Sequence, residues 1–216
     1  MNEALSQANM VEQQIRTWEV LDDRVLDLYY ELPRAAFVPA AARALAHADA
    51  AVPLGGGAVM LEPKVEARLL QEARPRLVEN VLHVGTGSGW FAALLAKLCA
   101  RLVTVEIDPG LAERARGLLA AHGLRNATVV AGDGLAGGVE GAPFDLIVLT
   151  GSVAKVPGPV FAMLAPEGRV LAPVGVAPVC AVQRLRLAED RLVAESLFDT
   201  WIPPLANAPA ADGFRF

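Results

Sequence analysis

The chain has few of the side chains that metal and redox sites require, with two cysteines and three histidines in 216 residues. Cys99 and Cys180 share no motif, which predicts two buried thiols in a reducing compartment rather than a disulfide. The histidines are equally scattered, so no metal site is predicted. Basic charge is scarce too. Lys and Arg total 19 against 24 Asp and Glu, a net charge of −5, so no positive field invites nucleic acid or an anionic membrane surface. The longest uncharged run, around residues 81–96, is broken by three glycines and a histidine. A bilayer crossing needs about 20 mostly apolar residues, so no membrane span is expected. Met1-Asn2-Glu3 opens without a basic or an apolar leader region, and the expected location is cytoplasmic. No G-x-x-x-x-G-K-[ST] occurs, which excludes a phosphate-gripping NTPase loop. Apolar residues, in contrast, reach 54%, enough to exclude disorder and to build one ordinary core.

Two textures follow one another along the chain. Residues 6–50 show apolar side chains at helical spacing: Met10, Ile15 and Trp18, then Val25, Leu26, Leu28 and Tyr29. Asp22 and Asp23 are capping candidates for the second helix. Residues 51–63, rich in glycine and proline, read as a loop, and a helix is predicted over residues 64–72. From Val81 onward, short apolar runs alternate with helical stripes. Strands are predicted at 81–84, 102–105, 128–130 and 146–149, then at 169–173, 181–187 and 192–198. The last two form an antiparallel hairpin turning at Glu189-Asp190. The fold class is therefore α/β, a doubly wound, mostly parallel sheet with an antiparallel C-terminal hairpin and an N-terminal helical extension. The expected division is an extension with its loop over residues 1–63 and a core over residues 64–216, together one domain. In the tail, residues 212–216, two phenylalanines predict a packing partner of some kind.

Ligands of such sheets sit beyond the carboxyl ends of the strands. There, Gly85-Thr86-Gly87-Ser88-Gly89 links the first core strand to a helix, and its glycines permit a tight turn and close approach of a ligand. The spacing is G-x-G-x-G, with Trp90 where a dinucleotide fingerprint would place its last glycine. Glu106 ends the second strand, 21 residues after Gly85, where an ionised carboxylate can accept two hydrogen bonds from a ribose diol. Asp133, flanked by Gly132 and Gly134, ends the third strand and can accept from an adenine amino group. No Lys or Arg stands in residues 84–96, which suits an adenosine ligand without phosphates.

A G-x-G-x-G loop followed by acids at two successive strand ends resembles a class I S-adenosylmethionine methyltransferase. Met10-Val11-Glu12-Gln13-Gln14-Ile15-Arg16, Asp23-Arg24-Val25-Leu26, Pro33-Arg34-Ala35-Ala36-Phe37-Val38-Pro39 and Val52-Pro53-Leu54-Gly55 narrow the likeness. With Phe144-Asp145-Leu146-Ile147-Val148-Leu149-Thr150 and the glycine-bounded stretch over residues 168–175, they resemble the protein-L-isoaspartate O-methyltransferase family. The resemblance spans most of residues 9–205. It implies S-adenosyl-L-methionine (SAM) as cofactor and a peptide or protein carboxylate as acceptor, here the α-carboxylate exposed by isoaspartate formation. It also implies a cofactor-binding set of Gly85, Thr86, Gly87, Ser88, Gly89, Glu106, Ile107, Asp133, Gly134 and Thr150. Thr150-Gly151-Ser152 should border the acceptor, and Trp18 and Trp90 read as core or pocket wall.

Two departures from the family pattern bear on activity. The family places an acid where this chain has His83, implying that an acid restored there would tighten the cofactor. Its substrate loop, roughly Gly-Gln-Thr-Ile-Ser-Gln-Pro, is here Gly57-Ala58-Val59-Met60-Leu61-Glu62-Pro63. Val59 and Leu61 thus replace the two hydroxyl donors, and Glu62 adds a negative charge near the expected anionic acceptor. No catalytic side chain is assigned. The alternatives are a SAM-binding protein with weak or no isoaspartyl activity, acting on another acceptor or as a non-catalytic module, and a nucleotide-dependent oxidoreductase, which the glycine spacing disfavours.

Overall fold

A computed structural model describes residues 3–189 and 191–210. The 212–216 tail and Asp190 of the expected final turn lie outside the described residues. The helical start comprises α1 (Glu3–Met10), a π turn (Val11–Ile15), a 3₁₀ turn (Arg16–Trp18), α2 (Asp23–Glu31), α3 (Arg34–Phe37) and a further 3₁₀ turn (Ala40–Leu45). Asp22 caps α2, its carboxylate accepting from Arg24 N at 3.0 Å. Val25, Leu26, Leu28 and Tyr29 form the buried stripe that the spacing predicts.

Residues 51–63 are not a loop. They form an antiparallel hairpin, β1 (Val52–Gly55) with β2 (Ala58–Met60), in which Val52 faces Met60 and Pro53 faces Val59. Gly55, Gly56 and Gly57 make the reversal at φ of +102°, +57° and +86°, a conformation L side chains rarely adopt. The glycines that suggested a loop instead supply a hairpin turn, while Val52 and Met60, both buried, hold the ladder to the core. Pro63 then occupies the first turn of α4 (Pro63–Ala73).

Seven strands form the main sheet, in the order β5-β4-β3-β6-β7-β8-β9. They are β3 (Asn80–Val84), β4 (Arg101–Glu106), β5 (Ala127–Ala131), β6 (Phe144–Leu149), β7 (Leu164–Val176), β8 (Val179–Ala188) and β9 (Arg191–Thr200). The pairs from β5 through β7 are parallel, while β7–β8 and β8–β9 are antiparallel. Between the parallel strands run α5 (Trp90–Ala96), α6 (Pro109–Ala121) and α7 (Gly158–Phe161). Because β4 and β5 extend to one side of β3 and β6 starts the other, the strand order reverses between β3 and β6. That is where a ligand crevice opens in doubly wound sheets.

Alternate residues of β3 serve the two faces. Val81 joins a core with Met10, Tyr29, Phe37 and Trp90, whereas Leu82 and Val84 join one with Phe144, Ile147 and Val160. At the amino end of β3, Arg169 donates to both oxygens of buried Glu79 (2.8 and 3.1 Å) and to the carbonyls of Ala73 and Arg74. This ties β7 to the end of α4. Cys99 and Cys180 are buried and unpaired, and burial pushes the Cys99 thiol up to about 12. Among the described residues, no helix is long and apolar enough to cross a membrane.

Candidate active site

A cavity of about 520 Å³ opens at the carboxyl ends of β3, β4, β5 and β6, within the range of small-ligand sites. Among the described residues, the side chains lining it include three carboxylates, Glu106, Asp108 and Asp133, and no Lys, Arg or His. Such a surface favours a cation and has no side chain to neutralise a phosphate.

Glu106, at the end of β4, is buried. Its Oε2 accepts from Gly87 N at 2.7 Å and its Oε1 from Asp108 N at 3.1 Å. Each oxygen retains a second acceptor position. The carboxylate therefore shapes the glycine loop and still has capacity for a diol. Asp133 accepts from Leu135 N at 2.9 Å and from the Asn207 side chain at 3.0 Å. A Cβ on Gly134 would meet Val84 Cγ1 at 2.8 Å, so only glycine fits between the strand ends there.

The ten residues expected to hold a cofactor divide three ways. Gly85, Gly87, Glu106, Ile107, Asp133, Gly134 and Thr150 line the large cavity. Thr86 and Ser88 do not; they border a smaller cavity behind the loop. There Thr86 Oγ1 lies 2.6 Å from Thr104 Oγ1, and Ser88 Oγ accepts from Trp90 N at 3.2 Å. Gly89 lines neither cavity and lets α5 approach α6, since a Cβ there would lie 3.1 Å from Ala115 Cβ.

His83 lines neither cavity and is fully buried. Its Nδ1 is 2.9 Å from Thr104 Oγ1 and its Nε2 2.9 Å from Thr150 Oγ1. Thr150 donates its hydroxyl proton to Gly85 O at 2.8 Å. It must therefore accept from His83 Nε2–H, leaving Nδ1 to accept from Thr104. Burial pushes the imidazole down to about 3, so it stays neutral. In this chain the ring at position 83 lines neither cavity and braces the loop from behind.

The β1–β2 turn forms the facing wall, where Val59 and Leu61 border both cavities. Glu62 lines neither, and its carboxylate sits 3.4 Å from Lys64 Nζ. The like-charge obstacle expected from the sequence is thus turned away and paired. Trp90 is core, edge-on to Tyr29 and Phe37. Trp18 is partly buried beside Phe198.

Sequence reasoning missed the segment over residues 203–206, which crosses the cavity after the last strand. It is held by Ser152 N donating to Pro203 O (2.9 Å) and Leu205 N donating to Ser152 O (3.0 Å). Leu205 packs where side chains on Gly85 and Gly151 would stand. Pro203-Pro204 marks only a break in secondary structure, and nothing local indicates the return. Asp108 was legible, since Asp-Pro after a strand is a helix-capping signal, and it caps α6 through Leu111 N at 2.8 Å.

Residues 5–205 match the family described as protein-L-isoaspartate(D-aspartate) O-methyltransferase. A protein-L-isoaspartate O-methyltransferase of Roseiflexus sp. (strain RS-1) is 39% identical over 197 residues, 91% of this chain and 90% of that one. One from Anaeromyxobacter dehalogenans (strain 2CP-C) is 44% identical, covering 89% of this chain and 93% of its own. Among solved structures, a protein-L-isoaspartate O-methyltransferase superposes with a TM-score of 0.80 at 21% identity, over 94% of this chain and 66% of its own. A putative one from Plasmodium falciparum, in complex with S-adenosyl-L-homocysteine, reaches 0.78 at 16%, over 95% and 98% of the two chains.

Proposed function

The chain belongs to the protein-L-isoaspartate(D-aspartate) O-methyltransferase family, and from that premise we propose that it methylates the α-carboxylate of isoaspartyl residues in proteins, using SAM. The observation that carries this reading is the large cavity, sized for a nucleoside ligand and lined, among the described residues, by three carboxylates with no basic side chain. SAM carries a sulfonium and no phosphate, and the cavity's charge suits it; a nicotinamide dinucleotide, with its pyrophosphate, fits poorly. In this reading Glu106 accepts from the ribose hydroxyls and Asp133 from the adenine amino group. Gly85, Gly87, Gly134, Ile107 and Thr150 complete the contacts. Thr86, Ser88 and Gly89 support the loop from behind.

Bound SAM supplies an electrophilic methyl group on a good leaving group. The chain's own contribution is positioning. An acceptor carboxylate is ionised and nucleophilic at neutral pH and needs no general base, so alignment of the two reactants accounts for most of the rate. The extension over residues 1–63 supplies the acceptor wall, and the core over residues 64–216 the cofactor side. Two buried cysteines that form no disulfide, Cys99 and Cys180, support a cytoplasmic location.

Val59 and Leu61 favour a second reading. They border the cavity where an anionic acceptor would need donors, and neither side chain can donate. An acceptor other than isoaspartate, or binding without turnover, follows if backbone amides do not compensate. Methyl transfer to an isoaspartyl peptide, compared with the same peptide carrying ordinary aspartate, decides between the two. Selective methylation of the isoaspartyl form establishes the first reading. Equal or absent labelling, with SAM still bound, overturns it.

A further inference from the structure

Behind the glycine loop lies a second cavity of about 40 Å³, bordered by Val59, Leu61, Gly85, Gly87 and Thr150, all of which also line the large one. It has room for a group the size of a water or an ammonium. Among the described residues, its lining contains one ionisable side chain, Glu66 of α4. Glu66 is buried, and its Oε2 accepts from Arg34 Nη2 at 2.9 Å. Among the described residues, no hydrogen bond reaches Oε1. The Trp90 indole N–H, itself without a partner, is near enough to favour the charged carboxylate but makes no hydrogen bond.

With ribose and adenine held by Glu106 and Asp133, the amino-acid end of the cofactor falls at the opposite side of the cleft, beside the residues the two cavities share. That end carries an ammonium group, and the large cavity's three carboxylates stand on or just beyond β4 and β5, at the adenosine side. His83 is turned behind the loop and stays neutral. We propose that Glu66 holds the ammonium of the cofactor's methionine moiety, so that its carboxylate selects the amino-acid end of SAM from below the glycine loop. This rests on the SAM reading above.

The surroundings of Glu66 set how the interaction responds to pH. Burial raises its carboxyl to about 7 against the opposing pull of Arg34. Arg34, on α3, makes three hydrogen bonds, to Ala46 O, Leu61 O and Glu66. Tyr29, on α2, is held well above its ordinary range by burial and stays neutral. An ammonium docking beside Glu66 must therefore displace a proton from it near or below neutral pH.

Calorimetry on the full chain tests this with two ligands. S-adenosylhomocysteine carries the amino-acid end, and 5′-methylthioadenosine keeps the adenosine and sulfur but lacks it. Between pH 8 and pH 5.5, S-adenosylhomocysteine affinity should fall by about tenfold or more and its binding should release a proton, while methylthioadenosine shows neither effect. Glu66→Gln, which can still accept from Arg34, should weaken S-adenosylhomocysteine by about tenfold, abolish its pH dependence and leave methylthioadenosine unchanged. Should that variant not fold, the wild-type comparison of the two ligands decides alone. Parallel pH responses of both ligands, or no response from either, overturn the assignment of Glu66. Failure of both ligands to bind at any pH overturns the SAM reading instead.

Discussion

Single side chains in this cleft serve two purposes. Glu106 closes the glycine loop through Gly87 N, and in the proposed reading its remaining lone pairs meet the ribose. Removing it should therefore remove contacts and loosen the loop together. Glu106→Ala is expected to weaken S-adenosylhomocysteine by about 1.5–3 kcal/mol, the range for hydrogen bonds to a charged group. Unchanged affinity in a folded variant, measured by calorimetry, would take Glu106 out of the site. His83 is constrained by proton direction: one nitrogen must donate to Thr150 and the other accept from Thr104. A glutamine amide can reproduce that polarity, whereas a carboxylate can only accept. His83→Gln should keep ligand affinity near wild type. His83→Glu should lower unfolding free energy by about 1–3 kcal/mol, the cost of a buried polar group left unsatisfied. Equal denaturation midpoints for the two variants would refute the direction assigned to the chain.

The β1–β2 hairpin lines the large cavity. Its glycine turn and the apolar pair Val59 and Leu61 make a wall without donors. On that wall, backbone amides are the donors left for an incoming carboxylate. Wild-type turnover of isoaspartyl peptide should be slow, and rewriting residues 58–62 as Gln-Thr-Ile-Ser-Gln should raise it by about tenfold or more, as one or two charged hydrogen bonds are regained. The rewrite has a cost, because Leu61 is buried and its replacement by serine gives up apolar contact. Stability should fall as activity rises. A wild-type rate equal to the rewritten one, at saturating SAM, would show that the backbone suffices.

Across the whole molecule, the two ends of the sheet divide the labour. The carboxyl ends carry the cleft, while Arg169 and Glu79 lock the region where β3 begins. Burial pushes the Glu79 carboxyl up, but Arg169 and Arg76 together hold it below its usual range. Arg169→Met should destabilise the fold by about 1.5–3 kcal/mol, since it removes the charged hydrogen bonds of Arg169 to buried Glu79 and leaves that carboxylate to Arg76 alone, and leave S-adenosylhomocysteine affinity unchanged in calorimetry. The pH response is also global. His83 is neutral in the fold down to about pH 3, so its contribution is present above its ordinary 6.5 and is lost as pH falls from there. Glu66 is raised from 4.5 to about 7, so its contribution is present below 4.5 and is lost as pH rises through 7. Between these ordinary values the two slopes, each about 1.4 kcal/mol per pH unit, oppose one another. His83→Gln removes one of them. Its urea stability should therefore decline relative to wild type as pH rises from 4.5 to 6.5, and a constant gap between the two proteins would exclude burial of His83 as the cause.

The amino-acid sequence by itself determined the alternating α/β order, the G-x-G-x-G loop and the acids at successive strand ends. Those features are written in local periodicity and spacing, which survive without knowledge of neighbours. It also displayed the altered acceptor loop as a list of residue types. Only the tertiary structure decided which way those residues point. Glu62 turns to Lys64, and His83 braces the loop from behind. Thr86 and Ser88 serve the loop's own support, while Leu205 returns from the far end of the chain to close the cleft. Glu66 gave no signal in the sequence, where it reads as one more polar position on an amphipathic helix. Its burial beside Arg34 comes from packing α3, α4 and α5 together, and contacts so distant along the chain leave no local pattern to read.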